Sequence, residues 1–260
     1  MTRNIFCLTV FLVLIGCTLP LQAQPVPAAA TPCSYSFTTG AGNSYLAYCV
    51  TANGNITQLE TPSGYQQING GGGEGYGICN ETPAQNYTDY ATSDTGNWNP
   101  ATLVSKTTSS VKIARTTSDG NWTLTQTITQ VAKPPSITIV MVLKNNQAVA
   151  KVAYLLRYAD VNSIANWPNT FGATVNSAFA WSFPLSPPLY GLQLQNVGTP
   201  PFGFWQGYAQ TVNFGPNACA FAANASAGFA GQIDGSVLMV YAGAVPAHGT
   251  RTVKLTYQGL

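Results

Sequence analysis

Charged side chains are scarce in this sequence. The 260 residues include 10 Lys and Arg, 8 Asp and Glu, and a single histidine, His248. Nucleic-acid binding needs a basic stripe that neutralises phosphates, so this balance argues against a nucleic-acid partner. It argues equally against electrostatic attachment to a membrane surface. One histidine cannot form a His-rich zinc site, and we expect neither a metal ion nor another cofactor.

The motifs of common enzyme classes are also missing. The sequence contains no His-Glu-x-x-His segment and no Gly-x-Ser-x-Gly elbow. Residues 70–75 are rich in glycine but lack the Gly-Lys-Ser/Thr of a phosphate-binding loop. No segment longer than about ten residues combines helical periodicity with caps. These absences favour a protein without catalytic activity.

The N-terminus has the features of an export signal. A short basic start precedes the apolar run 5–16, which is shorter than the roughly 20 residues needed to span a bilayer. We predict a signal peptide at 1–23, cleaved after Ala23, and a Pro/Ala-rich linker at 24–32. Lipidation of Cys17 in a lipobox-like sequence is the alternative and would anchor the protein to a membrane. Both routes predict a secreted, periplasmic or cell-surface protein with no transmembrane segment in the mature chain.

Four cysteines follow the signal peptide: Cys33, Cys49, Cys79 and Cys219. An even number in an exported chain predicts disulfide bonds. A hairpin centred on Ala41 would place Cys33 directly opposite Cys49, and Phe37 opposite Tyr45, at a Cα separation that permits a disulfide. The sequence therefore predicts the bond Cys33–Cys49 and, by elimination, the bond Cys79–Cys219.

The pattern of the remaining sequence predicts a succession of β-strands separated by turn residues. Alternating or β-branched apolar runs predict strands at 44–51, 55–60, 109–117, 121–131, 136–146, 150–158, 177–183, 189–195, 235–242 and 250–257. Ile137 to Leu143 is apolar on both faces, which predicts a central strand. Many short strands without helices predict an all-β fold, a large antiparallel β-sandwich forming a single domain over 33–260.

Two stretches, 70–100 and 160–175, are predicted to be long irregular loops, which is where β-scaffolds usually carry function. Their aromatic residues, with another aromatic cluster near 205, could stack on sugar rings, and their unexplained carboxylates could contact a ligand. Arg157 and Asp160 lie three residues apart and are predicted to pair. The candidate ligand-binding residues are Trp98, Trp167, Trp205, Tyr76, Tyr90, Glu74 and Asp160.

A resemblance to known proteins follows from several short motifs. They are Asn53-Gly54-Asn55-Ile56, Pro62-Ser63-Gly64, Glu74-Gly75-Tyr76-Gly77-Ile78-Cys79, Arg115-Thr116-Thr117-Ser118-Asp119-Gly120 and Arg157-Tyr158-Ala159-Asp160. In this order they resemble uncharacterised secreted bacterial β-sandwich proteins. The strand succession also resembles galactose-mutarotase-like supersandwich domains, which implies a fold only. That family works with paired histidines and a carboxylate, and a chain with one histidine does not fit its activity.

Three functions remain open on the sequence. The first is a non-catalytic secreted or surface-attached module whose partner is a neutral carbohydrate or another protein surface. The second is a structural or envelope protein without a small ligand. The third is a carbohydrate-active enzyme of supersandwich type, which would need two carboxylates, or a carboxylate and a tyrosine, in one cleft.

Overall fold

The computed structural model describes residues 33–68, 73–90, 93–94, 96–163, 168–182, 190–210 and 217–260. The predicted signal peptide, the predicted linker, Cys17 and Trp167 lie outside the described residues. Within the described ranges, no helix has the length and apolar character needed to cross a membrane.

The described chain is almost entirely β-structure, with short 3₁₀ turns at Gly42–Ser44 and Phe221–Asn224. Its strands are β1 Tyr35–Thr39, β2 Leu46–Val50, β3 Ile56–Glu60, β4 Gln66–Ile68, β5 Glu74–Asn80, β6 Gln85–Tyr90, β7 Ser93–Asp94, β8 Thr102–Lys106, β9 Ser110–Thr116, β10 Trp122–Ala132, β11 Pro135–Asn145, β12 Lys151–Asp160, β13 Asn169–Thr174, β14 Ser177–Ser182, β15 Gly191–Asn196, β16 Phe204–Gln210, β17 Ala225–Ser226, β18 Gly231–Ile233, β19 Ser236–Val245 and β20 Thr250–Gly259.

These strands form three antiparallel sheets. The large sheet has nine strands in the order β18-β13-β14-β15-β20-β11-β10-β9-β8. The medium sheet has seven, in the order β17-β16-β19-β12-β5-β6-β7, and the small sheet has four, β1-β2-β3-β4. Inward side chains of all three sheets share one hydrophobic core. The predicted all-β sandwich is confirmed.

Each of the ten predicted strand ranges overlaps one described strand, and together they account for half of the twenty strands. In β20 the inward Val253, Leu255 and Tyr257 are buried, whereas Thr252 and Lys254 on the other face are exposed. Strand β11 lies between β20 and β10, so the predicted central position of 137–143 is confirmed. Apolar and polar side chains that alternate with period two are suited to a sheet with one face in the core and the other in solvent.

The prediction of a long irregular loop over 70–100 is wrong, because β5 and β6 fill much of it. All seven residues of β5 are buried. Its glycines are places of close approach rather than loop signals, since a Cβ at Gly75 would lie 2.0 Å from the carbonyl oxygen of Asp89 on β6. The prediction for 160–175 is wrong in the same way, because β13 occupies Asn169–Thr174.

The first hairpin carries the predicted disulfide in a different register. Cys33 and Cys49 are bonded, with a Cα separation of 5.4 Å, so this prediction is confirmed. The residue opposite Cys49 is Ser36, however, and Phe37 lies opposite Tyr48 rather than Tyr45. The register differs by three residues from the predicted one, an odd number, so it brings the opposite face of β2 into the core.

The bond between Cys79 and Cys219 is also confirmed, with a Cα separation of 5.0 Å. It joins β5 to the segment 217–224, which packs over the outward face of the medium sheet. Leu156, Tyr158 and Leu238 on that face are buried together with Phe221 of the segment. The disulfide therefore closes a second, smaller hydrophobic cluster outside the main core.

Candidate functional site

Glu74 and Tyr76, which were predicted to contact a ligand, lie between the medium and large sheets and are fully buried. The Glu74 carboxylate accepts hydrogen bonds from Arg157 Nε at 2.6 Å, from the backbone N–H of Ile56 at 2.5 Å and from the Tyr257 hydroxyl at 3.0 Å. Burial raises the pKa of the Glu74 carboxyl, and the charge of Arg157 and the donated hydrogen bonds limit that rise. These contacts give Glu74 a structural role in joining the sheets.

Arg157 has other partners than the predicted Asp160, so that pairing is wrong. Besides Glu74, its guanidinium donates to Gln126 Oε1 at 2.5 Å and to the carbonyl oxygen of Gly54 at 3.2 Å. Side chains three residues apart on a strand point to opposite faces. Arg157 therefore faces the core, whereas Asp160 lies on the outward face.

Trp98 packs against a second buried ion pair. Arg115 pairs with Asp89, and the Tyr76 hydroxyl donates to the same carboxylate at 3.1 Å. The Arg115 guanidinium lies 5.2 Å from the centroid of the Trp98 ring, and this ring is 7% exposed. Trp98 and Tyr76 contact each other edge to face, with ring centroids 5.6 Å apart. Both rings thus belong to the core.

Tyr90 and Asp160 lie on the outward face of the medium sheet. Tyr90 is 7% exposed and packs against Tyr158, with ring centroids 5.4 Å apart. Asp160 ends β12, and its backbone N–H donates to the carbonyl oxygen of Gly73 at 2.8 Å. The structure brings these two predicted residues to the same end of the sheet, beside Asp234.

The Asp160 carboxyl is unusual in its surroundings. The residue is 5% exposed, and its Oδ1 atom has no hydrogen-bond partner in the described part of the chain. Burial, and secondarily the negative charge of Asp234, raise its pKa to about 7, while a hydrogen bond from Asn162 lowers it. A carboxyl of this kind can exchange protons near neutral pH.

Trp205, the remaining described tryptophan of the predicted set, is half-buried on β16. Its indole N–H donates to the side-chain oxygen of Asn176, in the β13–β14 turn, at 2.9 Å. This bond links the medium sheet to the large sheet at their common edge. Trp205 therefore helps to hold the two layers together.

The large sheet presents a broad polar face to solvent. The strand registers align one outward residue from each of seven neighbouring strands, from β13 to β9, into what we call the hydroxyl row. Its members are Thr174, Ser177, Gln195, Thr256, Thr138, Thr129 and Ser110. Six of them are exposed or partly exposed, whereas Ser177 is buried and its hydroxyl shares a hydrogen bond with that of Thr174. With strands about 4.8 Å apart, the row is about 29 Å long.

An aromatic pair lies beside one end of the hydroxyl row. Phe179 and Trp181 on β14 stack with ring centroids 4.9 Å apart and planes 6° from parallel. A Cβ at Gly172 would lie 2.6 Å from the Phe179 ring, so the neighbouring strand leaves room for that ring by carrying glycine. Both rings are partly exposed. The outward face thus combines an aromatic surface with hydroxyl and amide groups, which both donate and accept hydrogen bonds.

The outward face contains no cluster suited to a metal ion. Across the described residues, no three His, Cys, Asp or Glu side chains are close enough to hold one. The hydroxyl and amide groups can therefore act on a ligand through hydrogen bonds, and the aromatic pair through packing.

None of the residues of this face was among the predicted site residues, although the sequence carries signals for part of it. The alternating threonines of β10, which include Thr129, are visible in the sequence as four outward hydroxyls. Their continuation across the sheet depends on the register of strands far apart in the chain, such as β10 with β11 and β11 with β20. Phe179 and Trp181 carried a signal too, because they alternate within a predicted strand, but they were not among the predicted site residues.

Comparisons with known proteins bear on the fold. No protein-family model matches the sequence, and no curated protein matches it. Among solved structures, a bacterial glucoamylase in complex with acarbose aligns over 88% of this chain at 10% identity, with a TM-score of 0.58. The alignment covers 32% of the glucoamylase, so the chain spans about a third of its length.

A second solved structure, a proposed aldose 1-epimerase from Escherichia coli K12, aligns over 87% of this chain and 99% of its own. The identity is 9% and the TM-score 0.50. Similarity at this level of identity concerns the fold alone. It confirms the fold-level resemblance to galactose-mutarotase-like supersandwich domains.

Proposed function

We propose that this protein is a secreted or surface-attached, non-catalytic module that binds polysaccharide on the outward face of the large sheet. The observation that carries this proposal is the hydroxyl row with the stacked Phe179 and Trp181 beside it. Sugar hydroxyls both donate and accept hydrogen bonds, as do the threonine, serine and glutamine side chains of the row.

Two further facts support the proposal. The fold is shared with a glucoamylase and with a proposed aldose 1-epimerase, both named as proteins that act on carbohydrates. Two disulfides fit an oxidising compartment outside the cytoplasm, where extracellular polysaccharide is present. The mature domain, residues 33–260, would be delivered there by the predicted signal peptide.

Paired threonine substitutions test the location of the binding site. Thr129→Val with Thr256→Val removes two hydroxyls from the hydroxyl row on β10 and β20. Thr125→Val with Thr252→Val removes two outward hydroxyls from the same strands, outside the row, and is the matched control. Valine keeps the β-branched shape, so both variants should fold.

Binding is measured by titration calorimetry against a panel of neutral and acidic polysaccharides. With about 1 kcal/mol for each of the two hydrogen bonds, the variant in the row should bind about 30-fold more weakly, and the control as tightly as the wild type. Equal losses in the two variants would remove the proposed site. Failure of the wild type to bind any polysaccharide would remove the proposed function.

A second candidate, a carbohydrate-active enzyme, is favoured by one observation. Asp160, with a pKa of about 7, lies with Tyr158 and Asp234 at one end of the medium sheet. A carboxyl with such a pKa can act as a general acid or base. The test is incubation with the same polysaccharides: new reducing or unsaturated ends with the wild type, and none with Asp160→Asn, would support catalysis over simple binding.

A further inference from the structure

Charge is unevenly distributed over the described surface, although the net charge of the chain is small. Three lysines, Lys112, Lys144 and Lys254, point outward from the large sheet. No described outward residue of that sheet is acidic. Two carboxylates, Glu74 and Asp89, are enclosed in the ion pairs between the sheets. The proposed binding face is therefore purely cationic wherever it is charged.

Two of these lysines lie in a line parallel to the hydroxyl row. Lys254, Val140, Thr127 and Lys112 are register partners across β20, β11, β10 and β9. We call this line the lysine row. On each strand it lies two residues from the hydroxyl row, which is about 7 Å. Lys254 and Lys112 are separated by three strand spacings, or about 14 Å.

Neither Lys112 nor Lys254 has an ion-pair partner among the described residues. In the described ranges, the ion pairs involve Arg115 and Arg157, and no carboxylate contacts Lys112 or Lys254. Their ammonium groups are free to meet an anion from solution. The third lysine, Lys144, lies four residues along β11 from the lysine row, or about 13 Å away.

We infer that the ligand of the outward face is an acidic polysaccharide whose carboxylates face Lys112 and Lys254. This inference rests on the proposed function and narrows it. The chain of the polymer runs across the strands along the hydroxyl row, with Phe179 and Trp181 near one end. Its sugar hydroxyls bond to the row, and its uronate carboxylates reach the lysines on one flank. The expectation of a neutral ligand followed from the net charge, whereas the distribution of charge points to an anionic one.

The probes are polygalacturonate and its fully methyl-esterified form, which has the same backbone without negative charge. Titrations at low salt should show about tenfold tighter binding of the acid than of the ester. Exposed ion pairs each contribute little, so Lys112→Gln and Lys254→Gln should each weaken binding of the acid about threefold. Affinity for the acid should fall as salt rises, and affinity for the ester should not.

Lys144→Gln is the matched control, because Lys144 and Lys254 are both exposed and lie on adjacent strands. It should bind polygalacturonate as the wild type does. An equal loss in Lys144→Gln and Lys254→Gln would overturn the inference, as would equally tight binding of ester and acid. The latter result would leave the proposed function standing, whereas binding of neither polymer would count against both. If inorganic polyphosphate competed as strongly as polygalacturonate, the face would bind anions in general. This result would also overturn the inference.

Discussion

Glu74 and Asp160 are both buried carboxyl groups of the medium sheet, yet their surroundings differ. Glu74 points between the sheets and meets a guanidinium, a backbone N–H and a hydroxyl. Asp160 points outward, has one oxygen without a donor and lies beside another carboxylate, Asp234. The donors around a buried carboxyl, more than its burial, therefore decide whether its charge stabilises the fold.

The largest effect is expected from Glu74→Gln. The substitution removes the counter-charge of Arg157 and leaves a buried cation without compensation. The free energy of unfolding should fall by about 3–5 kcal/mol. Urea denaturation followed by fluorescence measures it, with Glu81→Gln on the surface as the control. A loss no greater than that of the control would show that the network contributes little.

Asp160→Asn should act in the opposite direction, and only above a certain pH. The folded-state pKa of about 7 exceeds the ordinary value of 3.8, so the folded protein keeps a proton that the unfolded chain releases. The contribution of Asp160 to stability is therefore fully present below about pH 4 and is lost as pH rises through 7. A rise in pKa of about three units corresponds to a loss of at most about 4 kcal/mol in the free energy of unfolding above pH 7. The variant should match the wild type at pH 4 and be more stable at pH 8.

Denaturation curves at several pH values measure this difference. A constant difference between Asp160→Asn and the wild type from pH 4 to pH 8 would contradict the raised pKa. The activity test on polysaccharides uses the same variant, so stability and catalysis can be compared in one preparation.

Tyr257→Phe tests a single donor to Glu74. Loss of one partner from a buried charged acceptor should cost about 1–3 kcal/mol. Tyr241→Phe is the matched control, because the Tyr241 hydroxyl is also buried but donates to the neutral side chain of Asn196 at 3.1 Å. Its cost should be smaller, about 1 kcal/mol. Equal losses in the free energy of unfolding, measured by urea denaturation, would show that the charge of Glu74 does not strengthen the hydrogen bond from Tyr257.

The smallest effect is expected from Asp234→Asn. Removing this negative charge should lower the pKa of Asp160, but burial, the larger cause, would remain. Stability at pH 8 should rise by less than about 1 kcal/mol. In the double variant with Asp160→Asn, Asp234→Asn should give no further gain in stability through this interaction, because the Asp160 carboxyl is already absent. An additive gain in the double variant would mean that the two carboxyls do not interact.

The sequence predicted the strands that alternate, the apolar strand β19 and the two disulfides, but it failed at β5, which is buried on both faces and rich in glycine. β5 carries Gly75 and Gly77 and a glutamate, a composition typical of loops. Only its neighbours β12 and β6 explain that composition. The partner of Arg157 was equally invisible, since Glu74 lies 83 residues away in the chain.

The candidate site shows the same limit. The sequence gives each strand its outward residues, but the hydroxyl row depends on how seven strands are aligned. In the first hairpin, an error of three residues in register was enough to choose the wrong face of β2. The burial of Trp98 and Tyr76 could not be predicted from composition either, because aromatic rings occur both in cores and in binding surfaces.

The spacing of the cysteines also orders events in time. Synthesis proceeds from the N-terminus, so Cys33 can meet Cys49 after 16 residues, whereas Cys79 must wait for 140 more residues before Cys219 emerges. Once the first pair is oxidised, neither Cys33 nor Cys49 can capture Cys79. Early closure of the hairpin disulfide would therefore reduce mispairing of the later cross-link.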